Sequence, residues 1–116
     1  RARDEDIVYA PSFVRGLEEP IASAIPVPRS IPIIITEGNY LLSPHPTLRE
    51  VRRLLDEVWY LDTPPEIRFP QLIARHVAFG KPEAEAQEWA AGTDQRNADH
   101  VESTRDSADL VITVTR

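Results

Sequence analysis

Apolar residues along the chain fall into short continuous runs separated by stretches of helical spacing. The run at residues 31–36 contains Ile33-Ile34-Ile35 and does not alternate with polar residues. This pattern predicts a parallel strand buried on both faces. Residues 58–61 predict a second buried strand, residues 108–115 predict a third, and residues 7–9 predict a brief strand near the start of the chain.

Helical periodicity fills the intervals between these strands. Leucine and valine recur at helical spacing in residues 47–57 and predict a first helix. Residues 65–79 predict a second helix, which Pro70 should kink because proline lacks a backbone donor. Further helices are expected at 82–91 and 94–105, with an interruption at Gly92.

The segment at residues 10–30 contains Pro11, Pro20, Pro26 and Pro28. So many prolines do not suit a helix or a central strand, so the segment is predicted to be a long loop. Strands that alternate with helices predict an α/β domain with a mainly parallel sheet and flanking helices. A chain of 116 residues is one domain at most.

Composition excludes several classes of function. The formal net charge of −6 argues against binding nucleic acid or an anionic membrane through bulk electrostatics. No apolar stretch approaches the ~20 residues that a membrane-spanning helix needs. The chain has no cysteine, which excludes disulfides and thiolate metal sites and fits a cytoplasmic protein.

Candidate chemistry lies where the predicted strands end, because open parallel sheets bind ligands beyond their carboxyl ends. Glu37 follows the apolar run at 31–36, and a carboxylate there can hold hydrated Mg²⁺ beside nucleotide phosphates. A solvent-facing loop carboxylate explains the pattern equally well. Asp62 also ends a strand, and a helix-capping role is favoured for it.

A positively charged stretch lies in and after the second predicted helix. Arg68 and Arg75 are seven residues apart, which places them on nearly the same helix face. Such arginines can stabilise charge on a phosphoryl group in transfer, although a solvated helix face is the plainer interpretation for Arg68. His76 falls on the apolar stripe and is expected to pack there. The histidines lack metal-ligand spacing, and no serine has the context of a hydrolase nucleophile.

Several segments together resemble one family of enzymes. The matching segments are Val8-Tyr9-Ala10-Pro11-Ser12-Phe13 with Arg15 and Glu18-Glu19-Pro20, Ile35-Thr36-Glu37-Gly38-Asn39-Tyr40-Leu41-Leu42, residues 54–62, Ala74-Arg75-His76-Val77 with Phe79-Gly80-Lys81, and Asp94, Asn97-Ala98, Val101, Thr104 and Ala108-Asp109. In order and nearly without gaps, they resemble the P-loop nucleoside/nucleotide kinase-like proteins of the uridine kinase, phosphoribulokinase and pantothenate kinase group. The resemblance implies that residues 1–116 are the C-terminal portion of one P-loop kinase domain, with a lid at about 65–92.

The same resemblance implies a function and a set of roles. The implied reaction transfers a phosphoryl group from ATP, with Mg²⁺, to a hydroxyl of a nucleoside, pantothenate or a sugar. The implied partners are therefore ATP and a small-molecule acceptor. The implied roles are catalysis for Glu37 and Arg75, metal binding for Glu37, acceptor binding for Arg15, Asn39 and Tyr40, and nucleotide binding for Arg68, Asn97 and Thr104.

The chain also departs from the family pattern. The 116 residues contain no Gly-x-x-x-x-Gly-Lys-[Ser/Thr] loop and no Asp-Gly-Phe-His segment. Val14 replaces a frequent aspartate, and Pro70 interrupts the lid helix. The chain alone is therefore expected to be catalytically inactive and to have unpaired sheet edges. The strands predicted at 31–36 and 58–61 should either close up against each other or take another chain between them. A homodimer or pairing through the sheet edges is possible on this basis. The alternative function is a non-catalytic kinase-like module that binds a metabolite or a protein. A flavodoxin-like domain fits the element order but not the motifs.

Overall fold

The computed structural model describes residues 4–14 and 16–115. The chain divides into two compact units, Arg1–Glu37 and Gly38–Arg116. The elements are α/β in kind, with one antiparallel strand pair in the first unit and one parallel pair in the second.

The first unit is built on a hairpin in which β1 (Ile7–Val14) pairs antiparallel with β2 (Glu19–Pro28). The prediction of a loop over residues 10–30 is therefore wrong. The amide of Arg29 donates to the carbonyl of Asp6 at 2.7 Å, and hydrogen-bonded pairs alternate with non-hydrogen-bonded pairs along an antiparallel ladder. Pro26 and Pro28 thus fall on non-hydrogen-bonded pairs, opposite Tyr9 and Ile7, where a missing N–H breaks no ladder bond.

Pro11, another proline of the segment, coincides with an irregularity in the hairpin. The register shifts between Ala10, which faces Ile25, and Ser12, which faces Ile21. Ser23 lies in the bulged part of β2 with a φ of 53°, the left-handed conformation that bulges often use. The bulge accommodates both Pro11 and the extra residues of β2.

Residues 31–38 form no strand, so the predicted strand at 31–36 is wrong for this chain. Its side chains are not buried: Ile33 is 73% exposed and Ile35 is 90% exposed. A continuously apolar strand needs neighbours on both faces and both edges, and no described strand pairs with this segment. The expectation that it would close up against the strand after residue 57 also fails, because within the described chain that strand pairs only with residues Leu110–Thr113.

The second unit contains the remaining regular elements. Its strands, β3 and β4, are parallel, with Trp59 opposite Leu110 and Asp62 opposite Thr113. The bounds are α1 Pro46–Arg52, β3 Trp59–Asp62, α2 Pro65–Ala78, α3 Glu83–Trp89, a π-helical turn Ala90–Asp94, α4 Gln95–Glu102, a 3₁₀ turn Arg105–Ser107 and β4 Leu110–Thr113.

Helix α2 confirms the prediction for 65–79 and continues through Pro70. It ends in a Schellman motif, because the amide of Gly80 donates to Val77 and the amide of Lys81 donates to His76. Gly80 has a φ of 92°, which only glycine adopts without strain. The interruption predicted at Gly92 is the π-helical turn between α3 and α4.

Helix α1 is shorter than the predicted 47–57. After Arg52 the chain makes tighter turns, in which the amides of Leu54 and Leu55 donate to Val51 and Arg52. These turns bring Val58 to Asp109, whose amide donates to the Val58 carbonyl at 2.9 Å. The helix therefore gives way to the start of the β3–β4 pair.

The buried core of the described residues is small and consists of Val58, Ala86, Ala90 and Thr104. The prediction of a buried strand at residues 58–61 is only partly correct: Val58 is buried but precedes β3, and Trp59 and Leu61 within β3 are 55% and 64% exposed. In the described chain no further strand extends the two-stranded sheet, and the side chains of Trp59 and Leu61 on one face of β3 are exposed.

Candidate functional site

Two residues of helix α4, Gln95 and Asn97, form hydrogen bonds with predicted site residues from other parts of the second unit. The guanidinium of Arg68 on α2 donates to Gln95 Oε1 at 2.5 Å. The hydroxyl of Tyr40 donates to Asn97 Oδ1 at 3.3 Å, and its ring lies 5.9 Å from that of His100. Three predicted residues, Arg68, Tyr40 and Asn97, are thus gathered around one helix.

Arg75 lies on the last turn of α2 with an exposed side chain. Among the described residues its guanidinium forms no hydrogen bond or ion pair with a side chain. A guanidinium in this state keeps all its donors for an anionic ligand.

Two further predicted residues lie next to the point in the sequence where the first unit ends. Glu37 ends the first unit, and Asn39 lies in the turn that opens the second; both are exposed. The described residues contain no group of three histidine, aspartate or glutamate side chains that could hold a metal ion. A lone carboxylate nevertheless suits Mg²⁺, which keeps several waters and takes other oxygens from phosphates.

Of the remaining two predicted residues, Thr104 is buried just after α4. Thr104 is 7% exposed, and its hydroxyl donates to the Val101 carbonyl at 2.7 Å, which closes the end of α4. Arg15, predicted to bind the acceptor, lies outside the described residues.

An ionic and aromatic cluster joins α2 to the elements after it, and sequence reasoning missed it. His76 Nε2 is 2.6 Å from Asp94 Oδ2, and both side chains are mostly buried. The His76 ring also lies 6.5 Å from the ring of Trp89. His76 is packed, as predicted, but its partner lies 18 residues away on the π-helical turn, and no local spacing indicates that pairing.

Lys81 extends this cluster. Its ammonium lies 4.5 Å from the centroid of the Trp89 ring and 2.7 Å from Glu85 Oε1. The Lys81–Glu85 pair has i,i+4 spacing and could have been read from the sequence, whereas the cation–π contact could not. The cluster fixes the direction in which the chain leaves α2.

Asp62 at the end of β3 does not cap α2, so that interpretation is wrong. The residue before α2 is Pro64, and no side chain caps the helix. Asp62 instead receives a contact from Arg105 Nη2 at 3.4 Å. Its strand neighbour Tyr60 is half-buried, and burial, with Glu102 and Asp62 nearby, raises the pKa of the phenol above its usual value of 10.0.

The described part of the chain includes no helix that is long and apolar enough to cross a membrane.

Comparison with known proteins identifies relatives that are named as kinases, although no family model matches the chain. An "ATP-dependent kinase-like protein" of Aspergillus versicolor is 31% identical over 100 residues, which are 84% of this chain and 58% of the relative. A protein of Schizosaccharomyces pombe named "Putative uridine kinase" is 32% identical over 107 residues, 90% of this chain and 46% of the relative. The chain spans about half the length of the curated relatives it matches.

Solved structures agree with these relatives. A "putative fructose transport system kinase" from Silicibacter sp. TM1040 is 31% identical, with a TM-score of 0.82 over 95% of this chain and 53% of its own. YFH7 of Saccharomyces cerevisiae, described as "a putative P-loop containing kinase with a circular permutation", has a TM-score of 0.76 over 93% of this chain and 35% of its own. Its 21% identity supports the fold alone.

These matches confirm the α/β fold as part of a P-loop kinase fold, and the small parallel sheet agrees with a partial match. The partial coverage of the relatives and structures named above also fits the C-terminal part that the sequence motifs imply. The chain therefore has part of a P-loop kinase fold and is homologous to proteins that are named as kinases.

Proposed function

We propose that this chain is the C-terminal portion of a kinase that transfers the γ-phosphoryl group of ATP to a hydroxyl of a small molecule. The observation that carries the proposal is the match of 95% of the chain, at 31% identity and a TM-score of 0.82, to a structure named as a kinase. The relatives' names include a uridine kinase and a fructose transport system kinase. Nucleosides and sugars are therefore the first acceptors to test, with pantothenate as the third.

The catalytic roles go to Glu37 and Arg75. Glu37 would hold Mg²⁺ through its exposed carboxylate, and the ion would neutralise charge on the ATP phosphates. Arg75 would contact the phosphates, which agrees with its exposed guanidinium and its lack of a described partner. Both roles place a charged side chain where charge develops during transfer.

The binding roles go to the residues around α4 and the turn before α1. Asn39 and Tyr40, with Arg15, would face the acceptor, whereas Arg68, Asn97 and Thr104 would serve the nucleotide side. The hydrogen bond from Tyr40 to Asn97 would then couple the two sides. Residues 65–92, which include α2, α3 and part of the π-helical turn, would form the lid.

The 116 residues contain no phosphate-binding loop, so the chain alone should not turn over ATP. Such a loop supplies the backbone amides and the lysine that hold the β- and γ-phosphates. We therefore assign the activity to a protein in which the loop accompanies this chain.

Mutation tests these roles in the protein that contains this chain together with a phosphate-binding loop, which we call the natural-length protein. Glu37→Gln and Arg75→Gln should each lower kcat for phosphoryl transfer by about 10²-fold or more, as expected when one charge-stabilising group is removed. The matched controls are Glu5→Gln and Arg53→Gln, which change exposed residues outside the proposed roles and the lid and should keep kcat within twofold. Normal activity in both Glu37→Gln and Arg75→Gln would contradict the assignment.

A second candidate function is a non-catalytic kinase-like module that binds a metabolite or a protein partner. The exposed apolar side chains of β3 favour it, because large exposed apolar patches often mark interaction surfaces. ATP turnover separates the two candidates: the module would bind ligands without consuming ATP.

A further inference from the structure

A cavity of about 210 Å³ lies in the second unit, and its lining includes none of the residues with proposed roles in transfer, although it begins directly after Tyr40. It is formed by three separate segments of the chain: the turn before α1, helix α1 itself and the 3₁₀ turn before β4. Its lining residues are Leu41, Leu42, Ser43, Pro44, Arg49, Arg52 and Ser107. The volume is below the ~300–1,000 Å³ of sites for drug-sized ligands, so only a small ligand fits.

The polar part of the lining is positively charged. Arg52 already donates to Asp109 at 2.6 Å, so its charge is partly neutralised. The guanidinium of Arg49 forms no ion pair with any described carboxylate, and the acid next to it, Glu50, is paired with Arg53 at 2.8 Å. The cavity therefore retains an uncompensated positive charge in a chain whose formal net charge is −6.

The remaining lining residues suit an oxyanion with a short apolar body. The Ser43 and Ser107 hydroxyls can donate hydrogen bonds, and guanidinium groups bind carboxylates and phosphates in bidentate geometry. Leu41, Leu42 and Pro44 provide an apolar wall.

The cavity lies at the amino end of the β3–β4 pair. Ser107 precedes β4, and Arg52 contacts Asp109, which in turn accepts a hydrogen bond from the Val58 amide just before β3. Ligands of open parallel sheets occupy the carboxyl ends of the strands. The cavity is thus at the end of this pair opposite to the one where substrates of such folds bind.

We infer that this cavity is a separate binding site for a small organic oxyanion, with Arg49 as its principal cationic contact. The ligand consists of a phosphate or carboxylate group on a short apolar body. It occupies the site together with ATP rather than in competition with it.

Isothermal titration calorimetry on the natural-length protein tests the inference. Phenyl phosphate and benzoate are the probes, and the tighter of the two identifies the oxyanion. Inorganic phosphate should bind more weakly than phenyl phosphate because it cannot contact the apolar wall, and uncharged benzyl alcohol should give no heat. Saturation with ATP should leave the Kd of the tighter probe unchanged within twofold.

Three variants locate the site. Arg49→Gln should raise the Kd of the probe at least tenfold, and Ser107→Phe should abolish binding by filling the cavity. Arg96→Gln is the matched control, since it removes an exposed guanidinium on α4, outside the lining, and should change the Kd less than twofold. Circular dichroism checks that each variant keeps the wild-type fold, which is expected because the changed side chains are largely exposed.

Three results would each overturn the inference: no binding of either probe at millimolar concentration, wild-type affinity in Arg49→Gln, or displacement of the probe by ATP. The last result would assign the anion to the phosphotransfer site instead.

Discussion

At the scale of single residues, Asp109 holds together the start of the parallel strand pair. One of its carboxylate oxygens accepts from Arg52 Nη2 at 2.6 Å and from the Val58 amide at 2.7 Å. Val58 is among the few buried residues, so its amide has little access to water. One side chain therefore satisfies a buried donor and joins α1 to β3 and β4.

We expect Asp109→Ala to lower the free energy of unfolding by about 1–3 kcal/mol, because it leaves the Val58 amide without an acceptor and Arg52 without its carboxylate partner. Urea denaturation followed by circular dichroism measures the change. Asp106→Ala is the control: this side chain is 99% exposed, so its loss should stay within about 0.5 kcal/mol. Equal effects of the two substitutions would disprove the role of Asp109.

The raised pKa of Tyr60 predicts that the stability of the folded chain falls at alkaline pH. Burial, then Glu102 and Asp62, raise the pKa of its phenol above 10.0 in the folded chain. The unfolded chain ionises first as the pH rises through about 10, so stability falls from there until the folded phenol also ionises. Tyr60→Phe should lose less stability than wild type between pH 9 and 11 in urea titrations, and an unchanged loss would refute this explanation.

At the scale of elements, the end of α2 depends on the conformation of Gly80. Its φ of 92° costs about 1–2 kcal/mol for a residue with a Cβ, although no atom lies within 4 Å of that position. Gly80→Ala should therefore lower the free energy of unfolding by about that amount.

Gly92→Ala is the matched comparison, since Gly92 also has free space around a Cβ but lies in the π-helical turn, without a positive φ. Alanine there should stabilise the chain by up to about 1 kcal/mol, because it reduces the entropy of the unfolded state. Thermal unfolding of both variants gives the two signs. The explanation fails if both substitutions change stability in the same direction.

The sequence predicted the elements whose determinants are local. The stripe at 65–79 and the following Gly80 define α2 and its end, and the runs at 58–61 and 108–115 contain β3 and β4. The sequence-based prediction failed where strand pairing determines the structure. Much of the segment 10–30 belongs to a hairpin, which Pro26 and Pro28 permit because they occupy non-hydrogen-bonded pairs. Composition does not reveal this register. Residues 31–36 have the pattern of a buried strand, but a strand also needs partners.

Candidate site residues were predictable as residue types at strand ends and on one helix face, but their contacts were not. Arg68 reaches Gln95 and His76 reaches Asp94 only because α4 and the π-helical turn pack back against α2. Such contacts come from tertiary packing between segments that are 27 and 18 residues apart. The roles of Glu37, Arg75 and their neighbours stay predictions until variants are assayed.

At the scale of the whole molecule, the exposed apolar face of the β3–β4 pair has a consequence for association. Trp59 and Leu61 lie on the same face because residues alternate along a strand, and Leu110 lies opposite Trp59. All three are large and exposed. Isolated parallel pairs are normally covered by further strands and helices.

We therefore expect the 116-residue chain alone to self-associate at micromolar concentration and Leu61→Lys to reduce that association at least fivefold. Thr113→Lys adds the same charge on the opposite face of the sheet and should have a smaller effect. Sedimentation velocity over a concentration series measures both. A monomer at all concentrations would contradict the expectation.

The most direct test of the central claim is transfer of the γ-phosphate from radiolabelled ATP to a panel of hydroxyl acceptors. The panel contains nucleosides, sugars and pantothenate, and the natural-length protein is assayed beside the 116-residue chain. Our account predicts a labelled acceptor with the natural-length protein and Mg²⁺, and none above the buffer control with the chain alone. Transfer by the chain alone, or no labelled product from the natural-length protein with any acceptor, would contradict it.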